Sequence, residues 1–230
     1  MKKFFTVLGM ALMALFIMLF LQSQAVVSNS GGGSSPPAGG DCIADSFHYD
    51  MTTDPTGDFT VKVGSVNYDA TDDEIDLTGN PTVWTLNDSL CSNDIWLAWQ
   101  WGSVVTYSGG YFRTDNNMSN NAYALRNNAD TNWPWRRCIG GGCNDLQVLT
   151  AGPPGDGDYG GLEVEFTGDA TIVRVWHWGS TPPPARGSWG TADMTYTTNP
   201  GAYDAVGYFV GLYNGDSSAD SFKMFAGGPL

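Results

Sequence analysis

Between Gly160 and Gly179 the apolar and polar positions alternate, break and resume. Leu162, Val164 and Phe166 interleave with Glu163 and Glu165, giving one apolar and one charged face. A period of two is the signature of a half-buried strand. Thr167-Gly168-Asp169-Ala170 interrupts with turn chemistry, and Thr171 to Trp178 resumes as a β-branched and aromatic run. The pattern predicts a β-hairpin. On its second strand Ile172, Arg174, Trp176 and Trp178 share one side, and Val173, Val175 and His177 the other.

The same reading predicts short strands along the rest of the chain. They begin at 46–50, 59–66, 74–77 and 82–86, the last two split by Gly79-Asn80-Pro81. Asp94 to Trp101 leaves neither face polar, because Trp96, Leu97, Ala98, Trp99 and Trp101 fall on both. That suits a central strand covered on both sides. Further runs lie at 103–107, 111–114, 122–126, 135–138, 144–149, 194–197, 205–213 and 219–225, separated by Gly-, Asn- and Pro-rich turns. No helical period and no internal repeat is visible. The expectation is an all-β sandwich or barrel.

Composition changes the picture mainly at the start. Lys2 and Lys3 precede an apolar run from Phe4 to Leu21, followed by Gln22-Ser23-Gln24-Ala25. This is a secretory signal over residues 1–25, cleaved after Ala25 or retained as an anchor, and either outcome exports the remainder. Residues 26–40, with Gly31-Gly32-Gly33-Ser34-Ser35-Pro36-Pro37, have linker composition. Residues 41–230 are then one β domain, secreted or held at the cell surface or in the periplasm. With Lys2 and Lys3 set aside, 24 acidic residues face 8 basic ones (8 − 24 = −16). That charge argues against nucleic acid, and against a membrane partner beyond the N-terminal anchor. It says nothing of oligomeric state.

Four cysteines in an exported chain point to two disulfides. Cys138-Ile-Gly-Gly-Gly-Cys143 has the form of a clasped hairpin tip, which leaves Cys42 to pair with Cys91. Zinc spacing is missing.

The closing third of the domain carries a resemblance. The hairpin just described is followed by Val206-Gly-Tyr-Phe-Val-Gly-Leu-Tyr-Asn214 and by Asp220-Ser-Phe222, while Asp45-Ser-Phe-His-Tyr49 stands near the start. This succession resembles laminin-G-like, concanavalin A-like lectin/glucanase domains, over Asp45 to Phe225. The resemblance implies a jelly-roll sandwich of two antiparallel sheets whose concave face often binds glycans. It also implies that Val173 and Val175 face inward, so that Arg174, Trp176 and Trp178 form an outward platform. Gly110-Tyr-Phe-Arg113 and Ala122-Tyr-Ala-Leu-Arg126 look like ligand-face strands of that family, which adds Tyr111, Tyr123 and Asn121 as candidate sugar contacts.

Glycoside hydrolases of this family carry Glu-x-Asp-x-(x)-Glu on one strand face, where alternate carboxylates converge on the sugar. Glu74-Ile75-Asp76-Leu77 begins that motif, but Thr78 and Gly79 stand where the last Glu should be. No group is left there to protonate a leaving oxygen. Glu163 and Glu165 read as an ordinary solvent face. The strand Tyr208 to Asn214 resembles that of jelly-roll alginate lyases without its Lys, and the lyase Gln-x-His and Arg-x-Glu-x-Arg strands have no counterpart. Nine tryptophans invite stacking on sugar rings. Trp96 and Trp99 read as core, whereas Trp133, Trp135, Trp176, Trp178 and Trp189 read as partly exposed. Asp156 and Asp158 are compatible with calcium, and no other cofactor is implied. The leading expectation is a non-catalytic carbohydrate-binding or adhesion module whose partner is a polysaccharide or cell-surface glycan. A glycoside hydrolase or polysaccharide lyase, or a structural envelope or matrix protein, are the alternatives.

Overall fold

The computed structural model describes residues 42–92, 94–104, 107–113, 122–125, 132–139, 142–150, 153–166, 171–198, 209–215 and 217–230. The proposed signal segment, the whole linker and Asn121 lie outside the described residues.

Thirteen strands are described: β1 (Phe47–Tyr49), β2 (Phe59–Asp69), β3 (Glu74–Leu86), β4 (Ile95–Trp101), β5 (Ser108–Arg113), β6 (Ala122–Leu125), β7 (Asn132–Ile139), β8 (Gly142–Thr150), β9 (Tyr159–Phe166), β10 (Thr171–Gly179), β11 (Met194–Thr198), β12 (Phe209–Asn214) and β13 (Asp220–Pro229). They pair antiparallel along the path β11-β10-β9-β4-β13-β3-β12-β5-β6-β7-β8, with β1 added to β13 and β2 to β3.

One strand explains how a single hydrogen-bonded path becomes two layers. The first half of β3 pairs with β13 through Ile75 and Leu77, and its second half pairs with β12 through Thr82 to Thr85. The sequence suggests two strands here, broken at Gly79-Asn80-Pro81. Instead the chain bends at that point without losing its partners, because β2 runs beside both halves and takes up the bend in register shifts around Val61 to Ser65. The two layers then face each other. Trp101 meets Trp133 edge-on at 5.1 Å, and Phe59 approaches Phe225 at 6.1 Å.

Between the layers lies one apolar core. Ile95, Leu97, Trp99, Trp101, Leu162, Val164, Val173, Val175, Phe222 and Phe225 supply one side, and Trp84, Leu86, Phe112, Leu125, Trp133, Val210 and Leu212 the other. Each such side chain contributes about 1.5–3 kcal/mol of burial. This all-β arrangement of two packed antiparallel layers is a jelly-roll sandwich. Val173 and Val175 are fully buried, so the hairpin register follows the expected parity.

Three expectations change. Trp133 is fully buried rather than partly exposed. Trp96 is not in the inter-layer core; one residue out of phase with Leu97 and Trp99, it points to the opposite face and is half-buried there. Trp189 is buried, 6 % exposed. Cys42 and Cys91 are bridged, beside a short parallel contact of Ile43 with Leu90. The β7–β8 register sets Cys138 directly opposite Cys143, and their side chains, like that of Trp135, lie outside the described part.

Candidate functional site

The layer β11-β10-β9-β4-β13 has a second face, turned away from the core. Parity places Trp96 and Ala98 of β4, Gly161 and Glu163 of β9, Arg174 and Trp176 of β10, and Met224 and Ala226 of β13 on it. Cross-strand register then sets them in rows: Trp96, Glu163 and Arg174 in one, and Ala98, Gly161 and Trp176 in the next. The small residues make room for large ones. A Cβ at Gly161 would come within 2.5 Å of the Trp178 ring, so glycine there lets that indole lie across β9.

Trp176 and Trp178 stack with ring centres 6.3 Å apart and planes 10° from parallel. This spacing follows from i, i+2 positions on one strand. The platform is not open, however. Residues 180–193 fold back over it, and Trp189 meets Trp176 and Trp178 edge-on at 4.9 Å each and Trp96 at 5.6 Å. Trp176 is therefore buried, 4 % exposed, and the expected outward platform is corrected on this point. Trp178 and Trp96 remain half-buried.

Arg174 is also engaged. Its Nη1 donates to Glu163 Oε1 at 3.0 Å and reaches Glu165 Oε2 at 2.9 Å. Arg186 from the covering segment reaches the other oxygen of Glu163, Oε2, at 2.7 Å, and its guanidinium lies 4.7 Å over the Trp189 ring. Glu163 is thus not a solvent-facing carboxylate; it is 9 % exposed and held between two arginines. Beside it Asp94, Glu163, Glu165, Arg186, Pro229 and Leu230 line a cleft of about 460 Å³, within the usual range for small-ligand sites. Both oxygens of Glu163 accept from guanidinium groups, which leaves it without a free oxygen for proton donation to a substrate.

The remaining candidates lie elsewhere. Tyr111 is buried on the far face of the other layer, where its hydroxyl meets Thr85 Oγ1 at 2.5 Å and it packs with Val83 and Tyr213. Tyr111 pairs with Ala124 and Tyr123 with Phe112, so the two tyrosines occupy register positions of opposite parity and share no face. Asp156 Oδ1 accepts from the Val104 amide at 2.9 Å, and Asp158 Oδ2 from the Gly155 amide at 2.8 Å. Asp158 also meets His177 Nε2 at 3.0 Å, so both carboxylates close loops. Among the described residues no group of three His, Cys, Asp or Glu is placed to hold a metal ion.

Glu74 and Asp76 alternate with the fully buried Ile75 and Leu77, which puts them on the outer side of their layer. Burial pushes Glu74 above the usual carboxylate range, against a lowering hydrogen bond from Ser221. Burial likewise raises Asp76, against a bond from Asn67.

Sequence reasoning missed Arg186, Asp94 and the bridging position of Glu163. The lack of a polar face on 94–101 was the available signal, since it requires something to cover Trp96 and Ala98.

No protein-family model matches the chain, and a search of curated proteins finds no match. Solved structures do match. The carbohydrate binding module CBM66 from Bacillus subtilis aligns with TM-score 0.50 at 12% identity, over 72% of this chain and 91% of that one. A β-glucanase of Bacillus licheniformis aligns with TM-score 0.52 at 11% identity, over 82% of this chain and all (100%) of that one. A β-1,3-1,4-glucanase (lichenase) from a mouse hindgut metagenome aligns with TM-score 0.53 at 8% identity, over 82% and 100%. The order and pairing of its strands, together with these likenesses, give the chain the concanavalin A-like jelly-roll fold.

Proposed function

We propose that the protein is an exported, non-catalytic carbohydrate-binding module, and that it engages a polysaccharide or cell-surface glycan on the outer face of the β10-β9-β4 layer. One observation carries this reading: the cleft lined by Glu163, Glu165 and Arg186 shares its face with the half-buried indoles of Trp96, which sits opposite Glu163 in the strand register, and Trp178, which lies over Gly161. Flat aromatic faces stack on sugar rings, and carboxylate and guanidinium groups bond hydroxyls. Arg174 and Arg186 are already paired with glutamates, so the face favours neutral sugars over uronates. The Cys42–Cys91 bridge fits an oxidising compartment. The folds matched include both a binding module and glucanases, and the arginine-held Glu163 favours binding over catalysis.

A glycan array on the purified protein, followed by Trp178→Ala and Trp96→Ala, tests the reading. Binding to at least one glycan, weakened about tenfold or more by either change, is expected. Binding that both variants retain in full would move the site elsewhere. A hydrolase reading has one observation in its favour, the raised Glu74 and Asp76, and is tested below.

A further inference from the structure

The segment 180–193 leaves β10 at Gly179 and rejoins the sheet at β11 as a strap across the outer face. Its hydrogen bonds are nearly all internal or at its ends. The Thr181 amide donates to the Trp178 carbonyl at 3.2 Å, the Ser188 amide to Ala185 at 2.8 Å, and the Trp189 indole N–H to Pro184 at 3.2 Å. At the far end the Asp193 amide donates to Val175 at 2.9 Å, and its carboxylate accepts the His177 amide at 2.7 Å. Between these ends, among the described residues, the strap grips the sheet through the Arg186–Glu163 pair, the Trp189 indole and the smaller Ala192. Gly179 and Gly190 adopt positive φ, 54° and 73°, where other residues would be strained, so the backbone bends sharply at one end and just past Trp189.

The contact beneath the strap is incomplete. Trp176 Nε1 and Arg186 Nε are both closed off from solvent, and neither has an acceptor among the described residues. Buried donors without partners are costly and uncommon. Trp189 fills a slot walled by Trp96, Trp176 and Trp178, but it offers an aromatic edge and no oxygen to the indole N–H beside it. A pyranose ring would supply both missing elements, an apolar C–H face for the parallel indoles and hydroxyls as acceptors.

We propose that the strap is a displaceable internal ligand, and that the face it covers is a further sugar-stacking subsite of Trp96, Trp176 and Trp178 that takes a pyranose in place of the Trp189 indole. The proposal rests on the glycan-binding reading and extends the half-buried surface of Trp178 into a longer site. A closed strap lowers apparent affinity by the fraction of molecules that are open, so removing its plug raises affinity by the inverse of that fraction.

The probes are the neutral hexasaccharides of β-1,3-glucan, β-1,4-glucan and β-1,4-xylan, titrated calorimetrically into the full chain, its Trp189→Ala variant and its Glu163→Gln variant. Arg186 is the strap's one tryptic site, so cleavage after it reports opening. Trp189→Ala should bind the preferred hexasaccharide about tenfold more tightly, as expected if about one molecule in ten is open. Without sugar, Glu163→Gln should speed cleavage after Arg186 about tenfold, and in the unaltered protein the bound hexasaccharide should speed it too. Unchanged or weaker binding by Trp189→Ala, or protection of Arg186 by sugar, overturns the subsite and leaves the glycan reading standing. If Trp189→Ala fails to fold, the cleavage measurements decide alone. Failure of every form to bind any hexasaccharide, with cleavage still accelerated in Glu163→Gln, removes the glycan reading and the subsite with it, while the strap remains mobile.

Discussion

Replacing Trp176 separates the covered face from an open one. Truncating a well-buried tryptophan to alanine costs about 3–5 kcal/mol through lost transfer energy and the cavity left behind. Trp176 is 4 % exposed and lies against Trp178 and Trp189, but its cover is a loop that can settle into the gap, so the lower end applies. The indole N–H has no acceptor among the described residues, and removing it returns about 1 kcal/mol. The net loss for Trp176→Ala is then about 2–3 kcal/mol. Trp176→Phe keeps most of the ring and deletes the orphan donor, so a packing loss of about 1 kcal/mol is offset and stability stays within about 0.5 kcal/mol of the original. Urea unfolding followed by far-UV circular dichroism measures both. With a slope of about 2.5 kcal/mol per molar for a domain of this size, Trp176→Ala should lower the midpoint by about 1 M and Trp176→Phe should barely move it. A shift below about 0.3 M for the alanine variant would refute the covering of Trp176. Equal losses for both variants would show that the indole N–H is bonded after all.

Three other outcomes are expected. Replacing Cys42 and Cys91 together by alanine frees a loop of 49 residues and should cost about 4 kcal/mol in the same assay, while non-reducing peptide mapping should also find Cys138 joined to Cys143, with free thiols there the contrary result. Tyr49, half-buried and donating to Asp58 at 3.1 Å, is pushed up to about 12 by burial and then by the Asp58 charge; its protonated form is favoured by the fold, so stability should hold below pH 10 and fall between pH 10 and 12, and Tyr49→Phe should flatten that fall. Because burial disfavours ionised Glu74, Glu74→Gln should not lower stability at neutral pH, and neither protein should release reducing sugar from β-glucan; hydrolysis abolished by this change would establish the hydrolase reading.

The order of apolar and polar positions determined the strands, because a residue's face on a strand follows from parity alone. Val173 and Val175 had to point together, Arg174, Trp176 and Trp178 had to point the other way, and both sets do. The Cys42–Cys91 bridge was equally legible, since four cysteines allow only three ways to form two pairs and the short Cys138–Cys143 spacing suggests one of them. Parity does not say what lies above a face. Trp176, Arg174 and Glu163 read as outward, and outward they are, yet a strap from farther along the chain covers the first, and its Arg186 joins the pair that Glu163 already makes with Arg174. Asp94, Glu163 and Arg186 are far apart in sequence and share a cleft only because β4 and β9 are neighbours and the strap returns across them. Tyr111 and Tyr123 show the converse. They look equivalent along the chain, but one residue of register sends them to opposite parity, and register is a property of paired strands rather than of either strand alone.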